Sequence, residues 1–373
     1  GQSTRIILRN LQRQPRRALV ALVGLMFATA ITVVGTFSVD AIDRVMAIQF
    51  DHVQRYDAAV TFVKPRPSET LDDLRRLPGV LAVEGFRSTP VRLYAGARMR
   101  LTSLTGLPAV PRLDRVVDAQ TLEPLRFGHH GLALDDRLAS ELGVRRGDAL
   151  DVEVLEGKRP RRTLRIAQVF HDDFGTSAYL EAGALDRLLD EGRAYSGAYL
   201  RVDPAARSAL VARCARLPMV AGVQLRSTIK ANFDQAMAQS FRIERVFSAC
   251  FAGVIAFGVV YNSARIILSE RARELATLRI IGFSPREVSY ILVGELALLT
   301  AIAIPSGLAL GVGLADAMAH AVNSDLMRLP AVVAPRTLVM GAAIIVIATV
   351  FSAWSVARGL ARLDLVSVLK TKE

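Results

Sequence analysis

The sequence predicts a membrane protein: an α-helical bundle of four spans with stalk helices, and a large α/β extracytoplasmic domain between the first and second spans. Three observations lead there. Four apolar runs each reach the roughly 20 residues that a hydrocarbon core requires. The stretch from Asp40 to Phe241 has no such run and alternates strand and helix patterns. The 373 residues are 51% hydrophobic with a mean hydropathy of +0.32, yet 22% charged. That is too apolar for an ordinary soluble domain and too charged for a chain wholly buried in lipid.

The elements follow in order. Residues 1–17 read as a cytoplasmic N-terminal helix carrying Arg5, Arg9, Arg13, Arg16 and Arg17. The first transmembrane helix is expected at 18–39, an uncharged run. It is longer than the apolar part of a signal peptide and lacks a clean cleavage site. The chain opens on Gly1, which suggests a processed chain or a part of a longer one.

Residues 40–241 are the extracytoplasmic domain, with stalk helices at both ends. Val45 and Phe50 lie on the apolar stripe that continues the first span. Phe233, Met237 and Phe241 recur every four residues on the way to the second. Inside the domain, "YDAAVTF" (56–62) and "RTLRIAQVF" (162–170) alternate as strands do. Asp203 and Pro204 make a helix start, a cap followed by proline at the first position. "LRRLPGVLAVEGF" (74–86) and "CARLPMVAGVQL" (214–225) both read as helix end, Leu-Pro turn, strand, so two similar αβ units are expected to share a split sheet. Between them, 131–169 reads as a short helix, a Gly-Asp turn and a β-hairpin: an inserted small β subdomain.

The second span is expected at 246–268, the third at 288–315, an extracytoplasmic loop at 316–337, the fourth span at 338–356, and a cytoplasmic tail at 357–373. Trp354 is a candidate interface anchor. Arginines crowd the 1–17, 269–287 and 357–373 segments, whereas the 316–337 loop has only Arg328 and Arg336. The positive-inside rule therefore places both termini and the 269–287 segment in the cytoplasm.

That segment, "SERARELATLRIIGFSPREV" (269–288), is built as a rigid element. Glu270, Arg273 and Glu274 lie on its polar side and Leu275 and Leu278 on its apolar side; Gly282 stops it. Ser284, Pro285 and Glu287 form a complete start for the next helix. Its mixed charge favours docking on a cytoplasmic partner over lying on anionic lipid, which the two glutamates would oppose.

Net charge is +12 with a pI near 10.3. Many of its arginines flank apolar runs, where they meet lipid headgroups, and there is no zinc-finger spacing or helix-turn-helix pattern; nucleic acid binding is excluded as the reading of this charge. Cys214 falls in the polar domain and Cys250 in an apolar run, so both are expected as free thiols. His129, His130 and the His171-Asp172-Asp173 run raise a metal site, but adjacent histidines in a glycine-bounded turn read better as a solvated loop; no metal or cofactor is expected. No Gly-x-Ser-x-Gly or His-Glu-x-x-His motif supports a hydrolase. The one Gly-Lys pair, Gly157-Lys158, is followed by Arg159, so the chain holds no P-loop. Glu295 is the intramembrane carboxylate, read as a structural pair more than a proton carrier. Gly307, Gly311 and Gly313 permit close helix approach, and Pro305 marks a kink. The spans lack the paired charges and broken inverted repeats of a secondary transporter.

The 269–299 stretch resembles the core motif of the FtsX-like permease family, the membrane subunits of MacB-type (type VII) ABC transporters. Glu270, Arg271, Glu274, Ala276, Leu278, Arg279 and Gly282 match it. The tail "ARGLARLDLVSVLK", with Asp364 and Leu369, and the head "ILRNLQRQPRRALVALVGL" resemble the family's ends, as does the order of spans. The resemblance does not extend into the outside domain. It implies a bacterial inner (plasma) membrane permease subunit that is not itself an enzyme. The permease would work with a separate ABC ATPase subunit, which docks on the coupling helix of Glu270, Arg271, Arg273, Glu274, Leu275, Leu278, Arg279 and Gly282. It also implies a second permease half or homodimer partner and a periplasmic adaptor protein. ATP hydrolysis would drive extracytoplasmic movement and export or extraction of a hydrophobic or amphipathic substrate by mechanotransmission. The alternative within the family is a regulatory permease that passes a signal without moving solute.

Overall fold

A computed structural model describes residues 15–128, 131–173, 175–270, 285–322 and 328–361. The chain divides into two compact units. One comprises 1–42, 238–321 and 331–373, the other 43–237 and 322–330.

The first unit is helical. Helix α1 is Pro15–Ala47, closed by a π-helical turn at Ile48–Val53. The three later long helices are α6 (Arg226–Glu270), α7 (Pro285–Val322) and α8 (Pro335–Ala361). All four helices are long and apolar enough to cross a membrane. Their common core is made of Leu25, Ala28, Ala256, Val260, Leu296, Ala303 and Ile345. Much of the remaining apolar surface faces outward, as at Val20, Phe247, Val254, Ile347 and Val350. A soluble bundle would not leave such faces open, but a lipid solvent makes them favourable.

Small residues set the contacts of α1. A methyl added at Gly307 of α7 would stand 2.6 Å from the Met26 carbonyl oxygen and from Thr29 Cβ; one at Gly311 would stand 2.8 Å from Val33 Cβ. The spacing Gly-x-x-x-Gly thus places α7 backbone against α1, as close packing without a hydrophobic driving force requires. Gly313 meets nothing within 4 Å and takes no part. Pro305 lies inside α7, which continues through it as one helix. Asp40, almost fully buried, accepts from the Ala334 amide (2.9 Å), the Arg336 guanidinium (3.1 Å) and the Thr337 hydroxyl, and so fixes the start of α8.

The second unit is α/β. Its elements are β1 (Ala58–Pro67), α2 (Glu69–Arg75), β2 (Val80–Ala95), β3 (Arg98–Leu107), β4 (Leu132–Asp135), α3 (Asp136–Leu142), β5 (Ala149–Val154), β6 (Arg161–Phe170), β7 (Ser177–Glu181), α4 (Ala182–Leu189), β8 (Ala194–Val202), α5 (Arg207–Cys214) and β9 (Val220–Leu225). Strands β2, β8, β1 and β9 pair antiparallel in that order. This is the split arrangement expected of two αβ units. The units echo each other in their hydrogen bonds. The Leu77 amide donates to Leu74 and Val80 to Leu77; likewise Leu217 donates to Cys214 and Val220 to Leu217. Asp203 accepts from the Ala205 amide at 2.9 Å, the cap that the Asp-Pro pair predicts. Helices α2 and α5 cover one face with Leu71, Leu74, Leu210 and Cys214 over Val60, Ala198 and Leu200.

The insertion is larger than residues 131–169. Strand β2 runs on past Phe86, leaves β8, and pairs with β3 and β5. Pairings β3–β7, β7–β4, β4–β6 and β6–β5 then close a ring of strands. Its interior holds Val91, Leu93, Leu104, Leu134, Val152 and Ile166, with Leu138 of α3 and Leu185 of α4 packed in. Closure removes the open edges that a lone hairpin would leave. The 131–169 stretch supplies its helix, its Gly147-Asp148 turn and its β5–β6 hairpin as expected. The ring also needs the distant β3 and β7, which pair in parallel and leave no local trace. Buried Arg87 sits where β2 passes from sheet to barrel. It meets Ser196 (3.0 Å), Glu156 (3.3 Å) and Glu191 (3.5 Å).

Candidate functional site

The expected coupling-helix residues Arg271, Arg273, Glu274, Leu275, Leu278, Arg279 and Gly282 lie outside the described residues. So do Ser284, His129, His130, Asp364 and Leu369. Glu270 is the last residue of α6. Glu295 is buried within α7. Trp354 of α8 is about half exposed, stacked under the Arg358 guanidinium at 3.6 Å from the ring centroid. That pair suits a boundary between lipid and headgroups.

Stalk residues meet around Phe50. Val45 and Phe50 are buried, at 2% and 3% exposure. Arg226, the first residue of α6, donates to the carbonyls of Phe50 (2.8 Å) and Gln54 (2.9 Å). One turn on, the Lys230 ammonium lies 5.8 Å from the Phe50 ring centroid. These contacts cap the orphan carbonyls at the end of the π-turn and tie it to the root of α6. Further along α6, Phe233, Met237 and Phe241 are only half-buried, and Ile229 is open.

A polar cluster that the sequence did not single out as a unit lies in the large domain. Asp136, the first residue of α3, accepts from His171 Nδ1 at 2.8 Å and from Arg328. His171 Nε2 reaches Asp173 at 3.3 Å, and the Arg328 amide donates to the Asp173 carbonyl at 3.0 Å. Asp118 fixes the backbone beneath, accepting from the amides of Gln120, Thr121 and His171. Burial alone would raise the Asp136 carboxyl, but the hydrogen bonds from His171 and Arg328 outweigh it and hold it at about 2. Hydrogen bonds to Asp136 and then Asp173 push His171 up to about 10. Burial, reinforced by neighbouring Asp136, pushes Asp135 up to about 7. Both ring nitrogens of His171 thus serve carboxylates. Among the described residues, no group of three or more His, Cys, Asp or Glu side chains is arranged to hold a metal ion. The cluster fastens 328–330, from the segment between α7 and α8, to the large domain. The sequence hint was the His-Asp-Asp run; its partners, 35 and 157 residues away, gave none.

Residues 246–365 match the model of the FtsX-like permease C-terminal family. Among solved structures, the chain is similar to the extracellular domain of the noncanonic ABC-type transporter YknZ from Gram-positive bacteria. Identity is 12% and the TM-score 0.33, over 45% of this chain and 98% of that one. It is also similar to the periplasmic region of MacB from Actinobacillus actinomycetemcomitans, at 10% identity and TM-score 0.34, over 52% of this chain and 98% of that one. No curated protein matches it in sequence.

Proposed function

We propose, from the premise that residues 246–365 are an FtsX-like permease C-terminal domain, that the chain is the membrane subunit of an ABC-type transporter which transmits movement outward. Permeases of the FtsX and MacB type work with an ABC ATPase partner. The observation that carries the reading is the extent of the match. It covers the transmembrane part of α6 and all of α7, and it includes the charged segment 271–284 that joins them.

In this reading the 271–284 segment seats on the cytoplasmic ATPase. ATP-driven closure of the ATPases changes the packing of the stalks, and the large domain moves a hydrophobic or amphipathic substrate outside the inner membrane. Both termini then face the cytoplasm, as the arginine distribution requires. A second permease half or second copy completes the transporter, and the large domain is where a periplasmic adaptor would engage. The ATP-binding machinery belongs to the other chain.

The test is Leu275→Asp, on the side of the segment that the sequence predicts to be apolar. Co-purification with the ATPase is expected to be lost while membrane insertion is retained. Normal ATPase binding with altered lipid affinity would instead make the segment a lipid-lying helix.

A further inference from the structure

One face of the β2-β8-β1-β9 sheet is covered by α2 and α5. The other carries Tyr56, Phe86 and Tyr199, with rings stacked at 4.7 and 4.6 Å. The segment from Val110 to Arg126 crosses this second face. It is pinned to residues 53–55 by Arg55 N to Leu113 O (2.8 Å) and Arg115 N to Val53 O (3.0 Å), and doubled on itself by Leu125 N to Val116 O (2.8 Å). Between segment and sheet lies a cleft of about 660 Å³, well inside the range of small-ligand sites.

Five arginines line this cleft: Arg55, Arg112, Arg115, Arg126 and Arg201. They come from four places in the chain, and the fold brings them together. Arg201 stands across from Ala82 in the β2–β8 register, on the same face as Tyr199. In the same unit Arg87, Arg92, Arg100, Arg161 and Arg207 all find carboxylates. Among the described residues none of the cleft five forms an ion pair. The single carboxylate in the lining, Glu84, is engaged through one oxygen: its Oε2 accepts from the amides of Arg112 (2.8 Å) and Leu113 (3.3 Å) and so holds the segment down, while its Oε1 is buried and accepts from no described group. Like charges around one concavity repel one another, and water screens them less there than on an open surface. Beside them, Val110 is 58% exposed, and Leu125 adds a second apolar contact.

We propose that this cleft is a binding site for a phosphate-bearing anion of two or more negative charges, the guanidinium forks taking the phosphate oxygens. Guanidinium groups pair phosphate in a bidentate, planar way, and several can share one dianionic group. Val110 and Leu125 give such a ligand an apolar flank, so the same chemistry is available from a lipid headgroup or from a free phosphate compound. The site stands apart from the permease reading, because it rests on the large domain alone.

The test uses the full chain in neutral detergent. Binding of dihexanoyl phosphatidic acid, inorganic pyrophosphate and zwitterionic dihexanoyl phosphatidylcholine is measured by calorimetry at two salt concentrations. The phosphatidic acid is expected to bind, more weakly at high salt. Arg112→Gln with Arg201→Gln should weaken it by about tenfold or more, since each removes a charge-assisted contact. Arg115→Gln alone is a second, milder variant. Arg145→Gln with Arg146→Gln, outside the cleft, should leave binding unchanged. Pyrophosphate binding as tightly as the lipid supports the site with a free phosphate ligand; pyrophosphate competing only weakly supports a headgroup. Two results overturn the proposal. One is no binding of either anion at millimolar concentration. The other is binding that phosphatidylcholine matches and that the cleft variants, with unchanged melting temperatures, do not alter.

Discussion

Asp136 serves two cations at once, and that makes the stability of the large domain depend on pH in a definite direction. His171, raised from 6.5 to about 10, contributes stability that is complete below about 6.5 and is lost as pH rises to 10. Asp135, raised from 3.8 to about 7 by burial, works the same way: its neutral form suits the fold, so stability falls between 3.8 and 7. Asp136, lowered from 3.8 to about 2, contributes above 3.8 and is lost as pH falls through 2. On account of this cluster, the domain should be most stable near pH 4 and should weaken steadily toward pH 10. Thermal unfolding across that range checks the sign. His171→Gln should flatten the limb between 6.5 and 10; an unchanged slope would remove the cluster from the account. Arg328→Gln should detach the 328–330 segment. Hydrogen exchange at the amides of residues 328 and 329 would then rise, with little change in the β-barrel core.

At the level of elements, glycines decide how α7 meets α1. Gly307→Ala places a methyl 2.6 Å from a backbone oxygen that cannot move aside, and it should destabilise the bundle by about 1–3 kcal/mol, the usual cost of overpacking. Gly313→Ala has open space and should be neutral or stabilising by up to about 1 kcal/mol, because alanine favours the helix. Denaturation in detergent separates the two; equal effects would mean that α7 does not approach α1 through Gly307. Both glycines were visible in the sequence as a small-residue stripe, but the stripe alone could not say which of them faced a neighbour. The same boundary of legibility runs through the large domain. The Leu-Pro echo and the Asp203 cap were readable because each depends on residues within a few positions. The barrel was not, because its closing pairs β3–β7 and β4–β6 are parallel and join strands far apart in the chain, and β2 changes partners at Arg87 without a break in its alternation. The arginines of the cleft are likewise scattered in sequence and form one surface only after the Val110–Arg126 segment crosses the sheet.

For the whole molecule, the stalks are where the transmission reading can fail. At the far end of the stalks the described contacts between the end of α1 and the root of α6 are Arg226 on the Phe50 and Gln54 carbonyls and Lys230 over the Phe50 ring; further along, the two helices meet again where Ser38 donates to Glu244 (2.8 Å) and Ser248 to the Gly35 carbonyl (3.2 Å). At the Phe50 joint the contacts are few: two hydrogen bonds and one cation–π contact amount to a few kcal/mol. That is the scale on which ATPase closure can shift a two-state equilibrium by a hundredfold or so. A passive support would gain from a much larger buried surface, yet the Phe233 and Met237 stripe remains half-open. Locking this contact should therefore stop transmission. The experiment pairs Phe50→Cys with Lys230→Cys in a Cys250→Ser background. Cys214 can stay, since it is fully buried in the sheet core and burial pushes its thiol up. In the complex reconstituted with its ATPase, oxidation or a short bifunctional cross-linker should suppress ATP turnover, and reductant should restore it after oxidation. If cross-linking is efficient and turnover is unchanged, the joint at Phe50 does not open during the cycle, and movement must pass through some other part of the chain.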